Sequence, residues 1–300
     1  MTEVSGVLLI DKPQGLTSHD VVNKVRRLYN TKKVGHTGTL DPLATGLLVI
    51  LIGRAAKAAE YLVSDSKRYT AGLKLGLTTD TEDITGKILT ESNNLPTQEQ
   101  VGTVISDFTG DIMQTPPMYS ALKIGGQKLV DLARKNITIE RESRKIHIDA
   151  IAYKRISESE YTLTVDCSKG TYIRTLCADI GAKLSCGGVM SSLRRERSGN
   201  FTLEGAYTLD KIEKMNEDGR VSVLMPTESL FEELDIIKLP VFYERLCRNG
   251  AEIYQKKLGV SYAVGTKLRI YGKNGFFALG EVMDFEDGYA IKPIKLFEIL

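Results

Sequence analysis

Apolar and polar side chains alternate from Tyr161 to Val165, and apolar positions then recur at Ile173, Leu176, Cys177, Ile180 and Leu184. The first spacing is that of a half-buried strand and the second that of one helical face, so the pattern predicts a strand-to-helix junction with a helix over 172–184. Val21, Val25 and Leu28 repeat the helical spacing and predict a helix over 18–29 that starts near Ser18. A further helix is expected over 97–108, opened by the capping-box pattern from Thr97 to Gln100. Leu47 to Ile52 is an unbroken apolar run, which suits a buried strand, and a helix is expected from about Arg54. His147 alternates with Ile146 and Ile148, which places it on the solvent face of a strand.

The pattern changes toward the C-terminus. Residues 208–233 read as helical and acidic, with Asp210, Glu213, Glu217, Asp218, Glu228, Glu232 and Glu233. Beyond them, short β-like runs at Lys267 to Tyr271, Phe276 to Val282 and Tyr289 to Ile294 are separated by Gly272-Lys273-Asn274-Gly275 and by Asp284 to Gly288. Regular short strands with glycine turns imply a small barrel. We therefore expect two domains, 1–233 and 234–300, the larger an α+β sheet with flanking helices.

Composition narrows the partners. The chain has 300 residues, 42% of them apolar, enough for a proper core, and a net charge of only +2. Binding to a polyanion therefore has to come from local patches. Residues 24–36 hold Lys24, Arg26, Arg27, Lys32 and Lys33 with no acid, and 123–145 hold seven Lys or Arg against Asp131, Glu140 and Glu142. Either stretch also suits an ordinary solvated face. The four cysteines, at 167, 177, 186 and 247, form no disulfide framework, and the three histidines, at 19, 36 and 147, offer no metal-ligand spacing. Neither a signal peptide nor a membrane-spanning run is apparent, so a soluble, cytoplasmic protein is expected.

The candidate chemistry starts at Gly35-His36-Thr37-Gly38-Thr39-Leu40-Asp41-Pro42-Leu43-Ala44-Thr45-Gly46-Leu47-Leu48. It sets one carboxylate, Asp41, among small residues with no acidic neighbour. Glycines at 35, 38 and 46 allow a close backbone approach to a ligand or a positive φ, and Pro42 fixes the chain direction after the acid. Asp before Pro is also an ordinary turn starter, and that reading stays open. A P-loop does not, because Leu47-Leu48 stands where Lys-Ser or Lys-Thr would follow Gly46. The predicted junction Ser168-Lys169-Gly170-Thr171-Tyr172-Ile173-Arg174 brings Lys169, Tyr172 and Arg174 together. An Arg there suits pairing with a buried carboxylate, or equally a surface ion pair. In Thr79-Asp80-Thr81-Glu82-Asp83 the spacing of a calcium loop is missing, and Asp80 is read as a loop acid tied to Asp41 and Arg174.

Taken together these segments resemble the TruB-type tRNA pseudouridine synthases. The likeness covers most of the chain: Gly6-Val7-Leu8-Leu9-Ile10-Asp11-Lys12-Pro13, Gly15 to Val22, the aspartate loop, Lys67-Arg68-Tyr69-Thr70-Ala71, Gly76 with Thr79-Asp80-Thr81, Thr115 to Lys123, Leu132-Ala133-Arg134, Ser192-Leu193-Arg194-Arg195 and Gly199-Asn200-Phe201. Val130 departs from the pattern, which carries an aromatic residue there. The resemblance implies a pseudouridine synthase fold, with a mixed, largely antiparallel sheet, and a PUA-like RNA-binding domain at the C-terminus. It implies isomerisation of uridine 55 in the tRNA T-loop, by flipping the base out and breaking and re-forming the glycosidic bond. That reaction gains and loses no atom and needs no cofactor or metal. The resemblance assigns Asp41 as the essential carboxylate, Arg174 as the group that keeps it anionic and Tyr69 as a stacking platform. Tyr172 then lines the pocket, His36 is an RNA-facing wedge, Lys12, Lys169 and Asp80 bind substrate, and 123–145 is a mobile insertion closing over the T-arm. The implied enzyme is a monomer that needs no protein partner and no membrane. Two rivals use the same surfaces: a tRNA-folding RNA chaperone without catalysis, and a guide-dependent rRNA pseudouridylase.

Overall fold

Thr17 opens the first helix, Ser18–Leu28, in the computed structural model, which describes residues 4–62, 66–135 and 137–297. Its hydroxyl accepts the Asp20 N–H while the Asp20 carboxylate accepts the Thr17 N–H, so two otherwise orphaned donors are satisfied reciprocally. Val21, Val22 and Val25 then turn inward. The expected capping box at Thr97 and Gln100 starts the helix Gln98–Ser106 in the same way. The junction expected after Val165 is also present, as strand Glu160–Cys167 followed by helix Ile173–Lys183, here called the Arg174 helix.

The larger sheet is mixed and largely antiparallel, with nine strands among the described residues. Its main path runs Gly6–Lys12, Thr45–Ile52, Gly188–Ser198, Lys67–Leu75, Glu160–Cys167, Arg144–Arg155, Gly110–Gln114. The one parallel pairing on this path joins Thr45–Ile52 to Gly188–Ser198, at Arg194 opposite Thr45 and Arg195 opposite Gly46. His147 is exposed between buried Ile146 and Ile148, as the alternation requires.

Thr45–Ile52 is apolar throughout because both its faces are covered. Leu48, Ile50 and Ile52 pack with Val21 and Val25, while Leu47, Val49 and Leu51 pack with Phe231, Leu279 and Phe297. The second cluster joins the large sheet to a curled five-stranded half-barrel, in the order Asp235–Lys238, Lys267–Gly272, Gly275–Phe285, Gly288–Leu296, Ile253–Tyr254. This is the form taken by the short strands with glycine turns. The acidic stretch before it forms helices Leu209–Lys214 and Glu217–Ser222 and a 3-10 turn at Thr227–Phe231. Glu213 pairs with Lys24 at 2.8 Å, so part of the N-terminal basic stretch is neutralised within the fold. No helix among the described residues is long and apolar enough to cross a membrane.

The helix expected from about Arg54 is instead a 3-10 helix, Gly53–Tyr61. Ala55 and Ala58 are both buried, and a spacing of three stacks them on one edge of a three-residue turn. Of the two uses expected for the glycines of the aspartate loop, Gly46 serves the positive φ. Its φ is +97°, and a Cβ there would lie 2.3 Å from the Arg195 carbonyl oxygen, so the glycine admits the neighbouring strand and not a ligand. Gly46→Ala should lower unfolding free energy by about 2–5 kcal/mol, combining left-handed backbone strain with overpacking. A denaturant midpoint unchanged from that of the unaltered protein would contradict this.

Candidate active site

Asp41 lies at the tip of a loop that the fold braces from three sides. Ser18 accepts the Leu40 N–H at 2.8 Å and donates to the Leu40 carbonyl at 3.1 Å, and Gly15 N–H donates to the Pro42 carbonyl at 2.8 Å. Arg195, 1% exposed, donates from Nε to the Leu47 carbonyl at 2.7 Å, from Nη2 to Gly38 at 3.0 Å and from Nη1 to Thr39 at 3.4 Å. A buried guanidinium whose three hydrogen bonds all end on backbone carbonyls ties the two ends of the loop together.

Across the loop, Arg174 projects from the first turn of its helix. Its Nε lies 2.9 Å from Asp41 Oδ2, Nη1 donates to the Thr81 carbonyl at 3.1 Å and Nη2 to the Tyr119 carbonyl at 2.7 Å. Gln114 sets the start of that helix, accepting the Tyr172 N–H at 2.8 Å and donating to the Tyr172 carbonyl at 3.0 Å. The Arg174 side chain is 6% exposed, whereas Asp41 keeps 35% of its own open. That opening gives onto a cavity of about 430 Å³, lined among others by Lys67, Tyr69, Lys169 and Tyr172.

The charges in this cavity are in tension. Burial pushes the Asp41 carboxyl above the ordinary carboxylate range, and the Arg174 guanidinium opposes that rise by charge and hydrogen bond; the Asp83 carboxylate adds to it. Burial likewise raises the Tyr172 phenol. Burial, helped by the neighbouring charge of Arg195, lowers the imidazole pKa of His36, whose buried Nδ1 finds no partner among the described residues.

Of the residues singled out from sequence, Asp41, Tyr69, Lys169, Tyr172 and Arg174 converge on the cavity. His36 ends the strand Val34–His36, one residue before Thr37 in the cavity wall. Two expectations need correction. Lys12 is fully buried, with Nζ donating to the Pro13 and Leu16 carbonyls at 2.9 and 2.6 Å. Burial lowers its pKa to about 8 against the upward pull of Asp41, so it supports the loop from beneath and does not face a ligand. Asp80 is exposed and accepts the Lys87 N–H at 2.8 Å. The acid that acts on Asp41 is Asp83, which is buried. Arg195, Gln114 and Ser18 were not singled out, although the first belongs to a quoted motif and the second immediately precedes one.

Comparison with known proteins finds relatives over nearly the whole chain. Residues 26–173 match the model for the TruB family pseudouridylate synthase N-terminal domain, and 174–232 match that for the tRNA pseudouridylate synthase B C-terminal domain. The tRNA pseudouridine synthase B of Clostridium tetani is 42% identical, covering 93% of this chain and 96% of its own. That of Clostridium acetobutylicum is 43% identical over 98% and 99%. Among solved structures, the chain matched in a Cbf5-Nop10-Gar1 complex superposes with a TM-score of 0.73 at 27% identity, covering 98% of this chain and 85% of the other.

Proposed function

The chain belongs to the TruB family of pseudouridylate synthases and makes pseudouridine in tRNA, and from that premise we propose that its target is uridine 55 of the T-loop, everted into the cavity beside Asp41. One observation carries the reading: a carboxylate ion-paired at 2.9 Å in a cavity of about 430 Å³, within the ~300–1,000 Å³ range of small-ligand pockets. In the proposed reaction the bond from ribose C1′ to uracil N1 breaks, the base turns, and C1′ bonds to C5. C5 loses a proton and N1 gains one, so the product is an isomer. Asp41 supplies the anion that attacks or stabilises the electron-poor centre, as carboxylates do in glycoside hydrolysis. Arg174 aims it and opposes its protonation.

Eversion costs a few kcal/mol, of order ~3. Stacking on an aromatic face returns ~1–3 kcal/mol, and Tyr69 and Tyr172 line the cavity to provide it. A neutral His36 ring suits the gap left in the RNA stack, since an uncharged imidazole enters it at little desolvation cost. Lys169 at the exposed rim and the basic stretch 123–145 meet the phosphates of the T-arm. In this reading residues 1–233 are the catalytic domain and 234–300 a PUA-like RNA-binding domain. The enzyme acts as a monomer in the cytoplasm without a protein partner.

The likeness to the Cbf5 complexes favours one alternative, a guide-dependent enzyme. Identity weighs against it, at 42% to a tRNA synthase and 27% to the Cbf5 chain. Incubating the pure protein with an unmodified tRNA transcript and mapping pseudouridine separates the two. We expect one modified site, in the T-loop, with no guide RNA added; a strict requirement for a guide would reverse the assignment.

A further inference from the structure

Glu82 is a carboxylate that the reaction as described does not use. It sits in the loop between strands Leu77–Thr79 and Ile88–Glu91, one residue after Thr81, whose carbonyl accepts from Arg174. Its Oε2 accepts the Thr175 hydroxyl at 2.6 Å. Two adjacent loop residues therefore grip two adjacent residues of the Arg174 helix, one by a backbone carbonyl and one by a side chain. To reach this position Glu82 adopts a φ of +63°, which a residue with a Cβ adopts only when its surroundings impose it. The imposing contacts are present: Met190 N–H donates to the Glu82 carbonyl at 3.0 Å, Ile84 N–H donates to the Met190 carbonyl at 2.9 Å, and Asp83 Oδ1 accepts from Thr81, Thr85 N–H and the Thr85 hydroxyl.

We propose that Glu82 is a positioning residue for pseudouridine formation: it holds the Arg174 guanidinium in line with Asp41 through Thr175, and its negative charge disfavours the Asp41 anion. The inference rests on the roles given above to Asp41 and Arg174. Arg174 is then tied to two carboxylates, directly to Asp41 at 2.9 Å and through the neighbouring Thr175 to Glu82. Burial raises the Glu82 carboxyl, while the Thr175 hydroxyl, Arg174 and Arg141 oppose that rise. The other ionisable groups in this environment are Asp83 on the same loop, Cys177 and Asp179 further along the helix, and Lys12 beneath Asp41. Asp179 is pushed up to about 6 by burial and by the charge of Glu82.

The sign follows from which form of Asp41 works. Its anion is the active species, so the rate falls as pH drops through its pKa. Removing a nearby negative charge favours that anion and lowers its pKa. Single-turnover pseudouridine formation measured from acidic to neutral pH tests this. Glu82→Gln keeps an acceptor for Thr175 and is expected to move the acidic limb down by roughly half a unit. Thr175→Val leaves every charge in place and should cut the plateau rate about tenfold, with tRNA affinity within about twofold. An unshifted limb in Glu82→Gln, or an unchanged rate in Thr175→Val, overturns the proposal. Asp41→Asn run beside them separates the two readings. If that variant stays active, the assignment of Asp41 fails; if it is dead while Glu82→Gln behaves as the unaltered protein does, only the role of Glu82 fails.

Discussion

Asp41→Asn should abolish pseudouridine formation, with a loss of about 10⁴-fold or more, the scale seen when a reaction's essential side chain is replaced by a near-isostere. The amide matches the carboxylate in size, and its oxygen still accepts the Arg174 Nε–H that now lies 2.9 Å away. The loop keeps its other anchors, at Ser18, Gly15 and Arg195. What disappears is the charge, and with it the power to attack or stabilise an electron-poor centre. Affinity for tRNA should stay within about threefold, since Asp41 adds a negative charge to a site that binds a polyanion. Filter binding and pseudouridine mapping on the same tRNA preparation check the two halves. An inactive variant that binds excludes the chaperone reading, whose activity does not depend on an anion at this position. Residual turnover near the native rate would remove Asp41 from the mechanism.

Much of this arrangement was legible before any coordinates. The alternation from Tyr161 to Val165 followed by helical spacing located the junction that carries Arg174, and the isolation of Asp41 among small residues marked the opposite wall of the cavity. Lys12 was misplaced although the signal was there. Its strand, Gly6–Lys12, is covered on both faces, with Val7 and Leu9 buried as well as Leu8 and Ile10, and the unbroken apolar run before it already pointed to an enclosed end. The family resemblance alone put Lys12 at the substrate, and the run was the better guide. Asp80 and Asp83 could not be separated in that way, because the strand ends at Thr79 and the turn that follows has no such pattern. Apart from Asp41, the partners of Arg174 and Arg195 left no trace. Most are backbone carbonyls, at Thr81, Tyr119, Gly38, Thr39 and Leu47, and a carbonyl is present at every position whatever the side chain.

Arg174→Lys keeps the positive charge and tests whether geometry matters. We expect the single-turnover rate to fall about 10²- to 10³-fold with tRNA affinity little changed. The guanidinium spends Nε on Asp41, Nη1 on Thr81 and Nη2 on Tyr119, three acceptors spread around one plane. An ammonium is a single point on a longer stem and cannot meet all three, so at least one carbonyl at this nearly closed site goes unpaired, at roughly 1–3 kcal/mol. The hold on Asp41 slackens as well. Burial already raises the Asp41 carboxyl, and Arg174 is the largest influence against it. Weakening that opposition raises the pKa further, so the acidic limb of the rate should move to higher pH. This is the reverse of the shift expected for Glu82→Gln, which removes a negative charge instead of weakening the hold of a positive one. Opposite displacements would show that the Asp41 pKa answers to both charges, the cation at 174 and the anion at 82. An Arg174→Lys enzyme within about tenfold of the native rate would mean that a cation is needed there but not its planar fork.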